Sequence, residues 1–180
     1  VLDRSAFRLP PHDPAAFDGE PLKPYNVGPD ALLVNFKAVR FVFAPEPARN
    51  GVAVRVEPPL PDIAVAALPQ LVNGDCGDWR GAVGAFYADN GAVASGTFSG
   101  RYSTACGERD WYVALLDHPN YVHGMFAAYF RAAGGQFAVL DRVGNGAQRL
   151  AFDALTINQV QRQAGRPFRF VHDDLQQHDQ

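Results

Sequence analysis

The sequence predicts an α+β domain in which helices pack on an antiparallel sheet. Short segments of apolar and β-branched residues recur between Pro, Gly and Asn-Gly turns, which is typical of antiparallel strands. Other stretches place their apolar residues three and four positions apart, which is typical of helices. With 180 residues and 47% hydrophobic content, the chain is long enough to bury one full core.

Proline is concentrated near the N-terminus, where the first sixty residues hold ten of the fourteen prolines. Residues 1–30 cannot form a long helix or a central strand, since proline lacks an N–H and fixes φ. We therefore expect an extended arm that lies over the surface. Residues 31–43 and 52–56 are rich in apolar, β-branched or aromatic residues and flank a turn with Pro and Asn50-Gly51, which predicts a β-hairpin.

Helical and strand-like patterns alternate after the hairpin. Ile63–Leu68 fits either a helix or a strand. Residues 77–90 are predicted to form a helix, and the apolar residues on one face of that helix are Trp79, Val83, Phe86 and Tyr87. Residues 91–107 are rich in Gly, Ser and Thr, which predicts a loop with at most one short strand. Glu108–Leu116 is predicted to be helical, because acidic residues occupy its first turn.

The pattern then changes to strands. Residues 122–131 and 136–142 are apolar and aromatic, and Ala132-Ala-Gly-Gly135 between them suits the turn of a hairpin. A short strand, a helix and a final strand are predicted at residues 150–154, 156–164 and 168–171. The whole chain is thereby divided into a proline-rich arm and hairpin (1–60), packed on or appended to the core, a core (61–172) and a flexible tail (173–180).

Composition excludes several classes of partner. A net charge of −3 with scattered charges provides no basic stripe, so we expect no nucleic acid partner. No apolar run approaches the roughly 20 residues of a membrane-spanning helix, so we expect no membrane partner. Without a Cys-x-x-Cys or His-x-x-x-His pair we expect neither a metal site nor a cofactor. The chain begins at Val1 and shows no signal peptide, so the compartment is not determined by the sequence. The sequence does not indicate the oligomeric state either.

The two cysteines, Cys76 and Cys106, allow two interpretations. In an oxidising compartment they form a bridge that closes a loop of about thirty residues and contributes on the order of 3 kcal/mol to stability. In a reducing compartment they are separate thiols.

A reduced Cys76 has features of a nucleophile. It follows an Asn-Gly-Asp turn and precedes a predicted helix, whose N-terminus would stabilise a thiolate. His123 stands at the head of a predicted strand, and Asp141 lies near the end of the strand that folds back on it. The hairpin brings both to the same side of the sheet, so we expect Asp141 to orient His123 and His123 to act as the base. His118 is a competing candidate for the base.

This order of residues resembles the papain-like cysteine peptidases. The resemblance rests on Asn73-Gly-Asp-Cys76, His123, the strand Gly134–Asp141 with its Gly-Gly start, and Gly144-Asn-Gly146. It is greatest for the compact bacterial-effector and viral-leader types. The same Asn-Gly-Asp-Cys stretch is also similar to the entry motif of ovarian-tumour-type deubiquitinases. The chain departs from the plant and lysosomal enzymes, since Trp79 does not directly follow the cysteine and the interval from cysteine to histidine is shorter.

The resemblance implies a papain-like fold with a nucleophile helix on an antiparallel sheet. It also implies a cysteine protease or isopeptidase that forms a thioester with a protein or peptide substrate. The oxyanion would be held by the Cys76 N–H together with a side-chain amide. Gln70 and Asn73 are the two candidates for that amide. Glutamine deamidases and acyl-transferring enzymes share the same triad in related folds. The effector or viral likeness implies secretion into, or expression in, a host cytoplasm.

A different class of function is supported by the strand-like segments and the single cysteine pair. In this alternative the chain is a secreted, non-enzymatic β-rich domain with a Cys76–Cys106 disulfide and an aromatic face for a ligand or partner. An effector or viral fragment that only binds a host protein is a third possibility. A titration of free thiols in unreduced protein distinguishes the cysteine hydrolase from the secreted, disulfide-linked domain.

Overall fold

The computed structural model describes residues 9–89, 93–135, 139–143 and 147–151, the last two ranges as backbone. These residues fall into two compact units, one within residues 2–128 and one from residue 129 onward, and each is described by itself.

Strands dominate the first unit. They are β1 (Val39–Glu46), β2 (Gly51–Glu57), β3 (Ile63–Ala67), β4 (Gln70–Val72), β5 (Val83–Asp89), β6 (Ala94–Ser103) and β7 (Arg109–Val113). Helix α1 (Trp79–Ala82) precedes β5, and helix α2 (His118–Ala132) follows β7. Single 3-10 turns lie at Pro24–Asn26, Asn35–Lys37, Pro47–Arg49 and Thr104–Cys106. The described part of the second unit holds β8 (Val139–Val143) paired antiparallel with β9 (Ala147–Ala151).

Two sheets form the first unit. In one, β1 lies between β2 and β7 and is antiparallel to both. In the other, β6 pairs antiparallel with β5 and parallel with β3 and β4, which contact successive segments of β6. The chain is therefore an α+β protein with antiparallel and mixed sheets.

Aromatic side chains fill the space between the two sheets. Phe43 of β1 meets Phe98 edge to face with ring centroids 4.8 Å apart, and it stacks on Tyr102 at 5.9 Å. Phe41, which also lies on β1, contacts Phe98 with ring centroids 5.2 Å apart. All four residues are completely buried. Each such side chain contributes roughly 2–3 kcal/mol by leaving water, so this aromatic layer is a substantial source of stability.

The outer face of the first sheet carries charges instead. Arg40 of β1 lies 2.7 Å from the Glu57 carboxylate of β2 and 2.7 Å from the Asp110 carboxylate of β7. Because alternate residues of a strand point to opposite faces, β1 directs its aromatic rings inward and this arginine outward. The three strands are thus linked by one guanidinium.

The predicted hairpin is confirmed, since β1 and β2 pair antiparallel around the Pro47–Arg49 turn. Ile63–Leu68, which fitted a helix or a strand, forms β3. The described arm, from residue 9, contains no long helix, as predicted. The elements predicted at residues 156–164 and 168–171 lie outside the described residues.

Three helix and loop predictions are wrong. Only Trp79–Ala82 of the helix predicted at 77–90 is helical, and the rest is strand β5. Residues 108–116 form strand β7 instead of a helix, and residues 94–103 within the predicted loop form β6, the longest described strand. The physical reason is the same in each case: pairing with a neighbouring strand and burial of alternate side chains outweigh local preference.

The hairpin predicted at residues 122–142 is also wrong. Its first half is helix α2, whose start is capped by the Asp117 carboxylate accepting a hydrogen bond from the Asn120 N–H at 2.7 Å. Its second half corresponds to β8, which pairs with β9 and not with residues 122–131.

Candidate functional site

The two cysteines are joined. Cys76 and Cys106 form a disulfide with an S–S distance of 2.11 Å across thirty residues of chain. Ser103 holds the two loops together, because its hydroxyl donates to the Gly74 carbonyl and accepts from the Ala105 N–H at 3.2 Å. Cys106 is 4% exposed and belongs to the hydrophobic core. Cys76 is therefore not available as a thiol in this structure.

The surroundings of Cys76 also differ from those of an activated cysteine. Helix α1 begins three residues later and is a single turn of four residues, so it supplies little dipole at the sulfur. Its N-cap is Asp78, whose carboxylate accepts from the Gly81 N–H at 3.0 Å. The prediction of a long nucleophile helix starting at Cys76 is wrong, because the chain turns into β5 after one helical turn.

The histidine and aspartate of the predicted triad lie on different kinds of element. His123 is 8% exposed within α2, where a strand was predicted, so its position at the head of a strand is corrected. Asp141 lies in β8, opposite Arg149 in the ladder with β9. The two residues belong to different compact units. The hairpin argument that placed them together is wrong, and orientation of His123 by Asp141 stays a prediction.

The two candidate oxyanion donors lie before the disulfide. Gln70 is exposed at the start of β4, opposite Arg101 of β6, and Asn73 is exposed in the loop that follows β4. Their proposed role depends on a free Cys76 sulfur, so it stays a prediction as well.

A cleft of about 860 Å³ opens elsewhere in the first unit, between the proline-rich arm and the connection from β7 to α2. Much of its lining is apolar, from prolines and small aliphatic residues. These apolar residues are Leu9, Pro10, Pro11, Pro14, Pro21, Leu22, Val27, Pro29, Ala31, Ala114, Leu115 and Leu116. The rest of the lining is largely polar or charged and includes His12, Asp30, Lys37, Asp89, Asp117 and His118. A concave surface that combines apolar and polar groups is a candidate binding site for a small ligand.

Three polar side chains converge on one end of this cleft. The His118 Nδ1 atom lies 3.9 Å from a carboxylate oxygen of Asp30, and these side chains are 15% and 8% exposed. The other Asp30 oxygen accepts from the Leu32 N–H at 2.8 Å. The Lys37 ammonium donates to the Leu116 carbonyl at 2.7 Å. Burial lowers the pKa of Lys37, and the charges of Asp117 and Asp30 partly oppose that shift.

Hydrogen bonds fix the arm that forms the other wall. The Ala114 N–H, just after β7, donates to the Leu22 carbonyl at 2.8 Å. The buried Asn26 side chain donates to the Asp18 carboxylate at 2.6 Å, and the Asn26 backbone carbonyl lies 2.8 Å from the Nε2 atom of His12. The arm that was predicted to lie over the surface therefore forms one wall of the cleft and is bonded to the core at Leu22.

His118 was predicted only as a competing base, and neither Asp30 nor Lys37 was predicted as a site residue. One signal was present: Lys37 is one of two lysines in the chain and interrupts an apolar segment. Among the described residues, no group of three or more His, Cys, Asp or Glu side chains is arranged to hold a metal ion. The described residues also include no helix with the length and apolar character needed to cross a membrane.

No protein-family model matches the chain, and no curated protein matches it.

Proposed function

We propose that the chain is a non-catalytic, disulfide-linked β-rich domain that binds a small ligand in the cleft between arm and core. The observation that carries this proposal is the bond between the Cys76 and Cys106 sulfurs, which removes the one nucleophile for which the sequence supplied a mechanism. The cleft then offers a concave surface on which polar groups lie close together.

The lining favours a ligand with an apolar body and one hydrogen-bonding head group. The prolines and aliphatic side chains would remove the body from water. Lys37, His118 and Asp30, which also line the cleft, would face the head group. Because Lys37 uses one of its three donors on the Leu116 carbonyl, its ammonium is positioned before a ligand arrives.

A thermal-shift screen tests ligand binding. The probes are small ring compounds that each carry one carboxylate, amine or hydroxyl group. A compound at about one hundred times its Kd stabilises the protein by about 2.7 kcal/mol. We expect the shift to disappear in Ala31→Trp, which fills the cleft, and to persist in Ala66→Trp on strand β3. Equal shifts in both variants, or no stabilising compound, would contradict the proposal.

Thiol titration tests the disulfide. Unreduced protein unfolded in denaturant is expected to show no free thiol. Two free thiols in protein purified without reductant would show that the bridge does not form, and the non-catalytic proposal would lose its main support.

The papain-like fold and the Cys-His-Asp hydrolase stay a prediction for the reduced chain, supported by the sequence resemblance alone. Reduced protein should then label at Cys76 with a thiol-reactive peptide probe, and Cys76→Ala should abolish the labelling. Cys106→Ala, which leaves the Cys76 thiol in place, is the matched control. Labelling of both cysteines at equal rates, unchanged by His123→Ala, would count against the enzyme.

A further inference from the structure

Among the described residues, β5 is an edge strand that lacks the protection seen at the other edge strands. An unpaired strand edge presents N–H and C=O groups that can pair with another chain, and proteins usually cover or interrupt such edges. On the edge strand β7, the Asp110 carbonyl accepts from Arg80 at 3.1 Å, and the Ala114 N–H just beyond the strand bonds to Leu22 of the arm. Both groups are thereby covered.

Charges, prolines and irregular pairing interrupt the other edges. Strand β2 carries Arg55, which pairs with Glu108 at 3.0 Å, and it ends at Pro58. Strand β3 changes register between Val65 and Ala67. Strand β4 has only three residues. Each of these features is a known way to discourage edge pairing.

Strand β5 has none of them. Its seven residues pair with β6 without a bulge, and β6 is its one partner strand in the described part of the chain. It contains no proline, and its one charge is Asp89 at the end. Phe86, at the centre, is 68% exposed, and Gly84 and Ala88 beside it on the same face are also exposed.

We propose that β5 pairs with β5 of a second copy of this chain, antiparallel about a two-fold axis at Phe86. The two sheets then continue into one across the dimer. Because the strand has three residues on each side of Phe86, this register pairs all seven residues. Each Phe86 faces its counterpart, and each Gly84 faces Ala88 of the second copy.

The exposed face of β5 is complementary to the same face of a second copy. Small residues on both sides of Phe86 leave room for the two rings to lie over the neighbouring strand, and aromatic cross-strand pairs stabilise a sheet. In this register Asp89 at the end of each strand lies opposite Val83 of the second copy, so the charges of the two strands do not face each other.

The contact is small. A standard stable interface removes about 800 Å² from each partner, and one seven-residue strand supplies only part of that area. We therefore expect a reversible dimer that dissociates on dilution. The interface is centred on Phe86, which is not among the residues that line the cleft, whereas Asp89 at the end of β5 is.

Sedimentation velocity over a concentration series measures the association. The native chain should shift from monomer to dimer, and Phe86→Lys should weaken association by at least about tenfold because it places like charges opposite each other. Leu68→Lys is the matched control, since Leu68 is a 50% exposed apolar residue outside β5. A monomer at all concentrations, or equal losses in the two variants, overturns the proposal.

Cross-linking tests the register. Residues opposite each other in an antiparallel pair have Cα atoms about 4.5 to 5.5 Å apart, within the range that a disulfide spans. Phe86→Cys should therefore give a covalent dimer under mild oxidation, with two thiols losing their hydrogens to the oxidant. Ala88→Cys, which faces Gly84 of the second copy, should not. A dimer that cross-links at residue 88 and not at residue 86 overturns the two-fold register. Pairing of β5 with an unrelated extended peptide, without formation of a dimer, overturns it as well.

Discussion

Removal of the Cys76–Cys106 bridge should cost a large part of the folding stability. In the chain-entropy model a bridge across 30 residues of chain stabilises the fold by about 3.6 kcal/mol at 25 °C, because it restricts the unfolded chain. Most single domains unfold with a free energy of about 5 to 15 kcal/mol. The double variant Cys76→Ala/Cys106→Ala is therefore expected to keep its fold with a much reduced margin.

Urea denaturation followed by tryptophan fluorescence measures the loss. The two tryptophans, Trp79 and Trp111, have ring centroids 5.8 Å apart, so unfolding changes the surroundings of both. Unreduced native protein should unfold at a higher urea concentration than the double variant. It should also have a smaller denaturant slope, because the bridged unfolded chain exposes less surface.

Reductant provides the control. Native protein unfolded with a reducing agent should match the double variant within about 0.5 kcal/mol, since both lack the loop constraint. A loss below about 1 kcal/mol in the double variant would refute the chain-entropy argument for this loop. A reduced native protein as stable as the unreduced one would refute it as well.

Two further predictions concern single side chains of the core. The Tyr87 hydroxyl is buried without a hydrogen-bond partner among the described residues, so Tyr87→Phe should leave the unfolding free energy unchanged or raise it by up to about 1 kcal/mol. Tyr102→Phe is the matched control and should lose about 1 kcal/mol, because the Tyr102 hydroxyl donates to the Gly107 carbonyl; equal losses in both would contradict the reasoning. Gly100 has φ +82°, and a Cβ there would collide with the Ala82 carbonyl, so Gly100→Ala should lose at least about 2 kcal/mol in the same urea assay, and a loss within about 0.5 kcal/mol would show that the backbone relaxes.

The β1–β2 hairpin could be predicted because its signals agree. Residues 52–56 and the end of residues 31–43 are β-branched or aromatic, and Asn50 adopts the left-handed conformation at the turn. The pairing of β1 with β7 could not be predicted, because it joins residues about seventy positions apart. Pattern within one segment does not reveal such a partner.

The helix predicted at 77–90 shows how an ambiguous pattern failed. Trp79, Val83, Phe86 and Tyr87 fit a helical face, yet Val83 and Tyr87 also fit an alternating strand with Ala85 between them. Alanine and glycine at the other positions hid that alternation, since they are neither clearly apolar nor clearly polar. Pairing with β6 decided the outcome.

Helix α2 failed in the opposite direction. Aromatic and β-branched residues in 122–131 favoured a strand, whereas the start signal of a helix lay just before them. Asp117 supplies the cap and Pro119 lies in the first turn, where its missing N–H has no cost. The predicted Cys-His-Asp site depended on this segment being a strand, so the error in secondary structure carried over to the site.

Arg40 determines which alignment of the first sheet is allowed. Its ion pairs with Glu57 and Asp110 are partly exposed and add little to stability. A shift of β1 by one residue, however, would turn this guanidinium into the aromatic layer and carry Phe41 and its inward neighbours to the opposite face of the sheet. Arg40 thus selects a single register among possible alignments. Its replacement by methionine would leave a strand that is apolar on both faces and free to pair in more than one way.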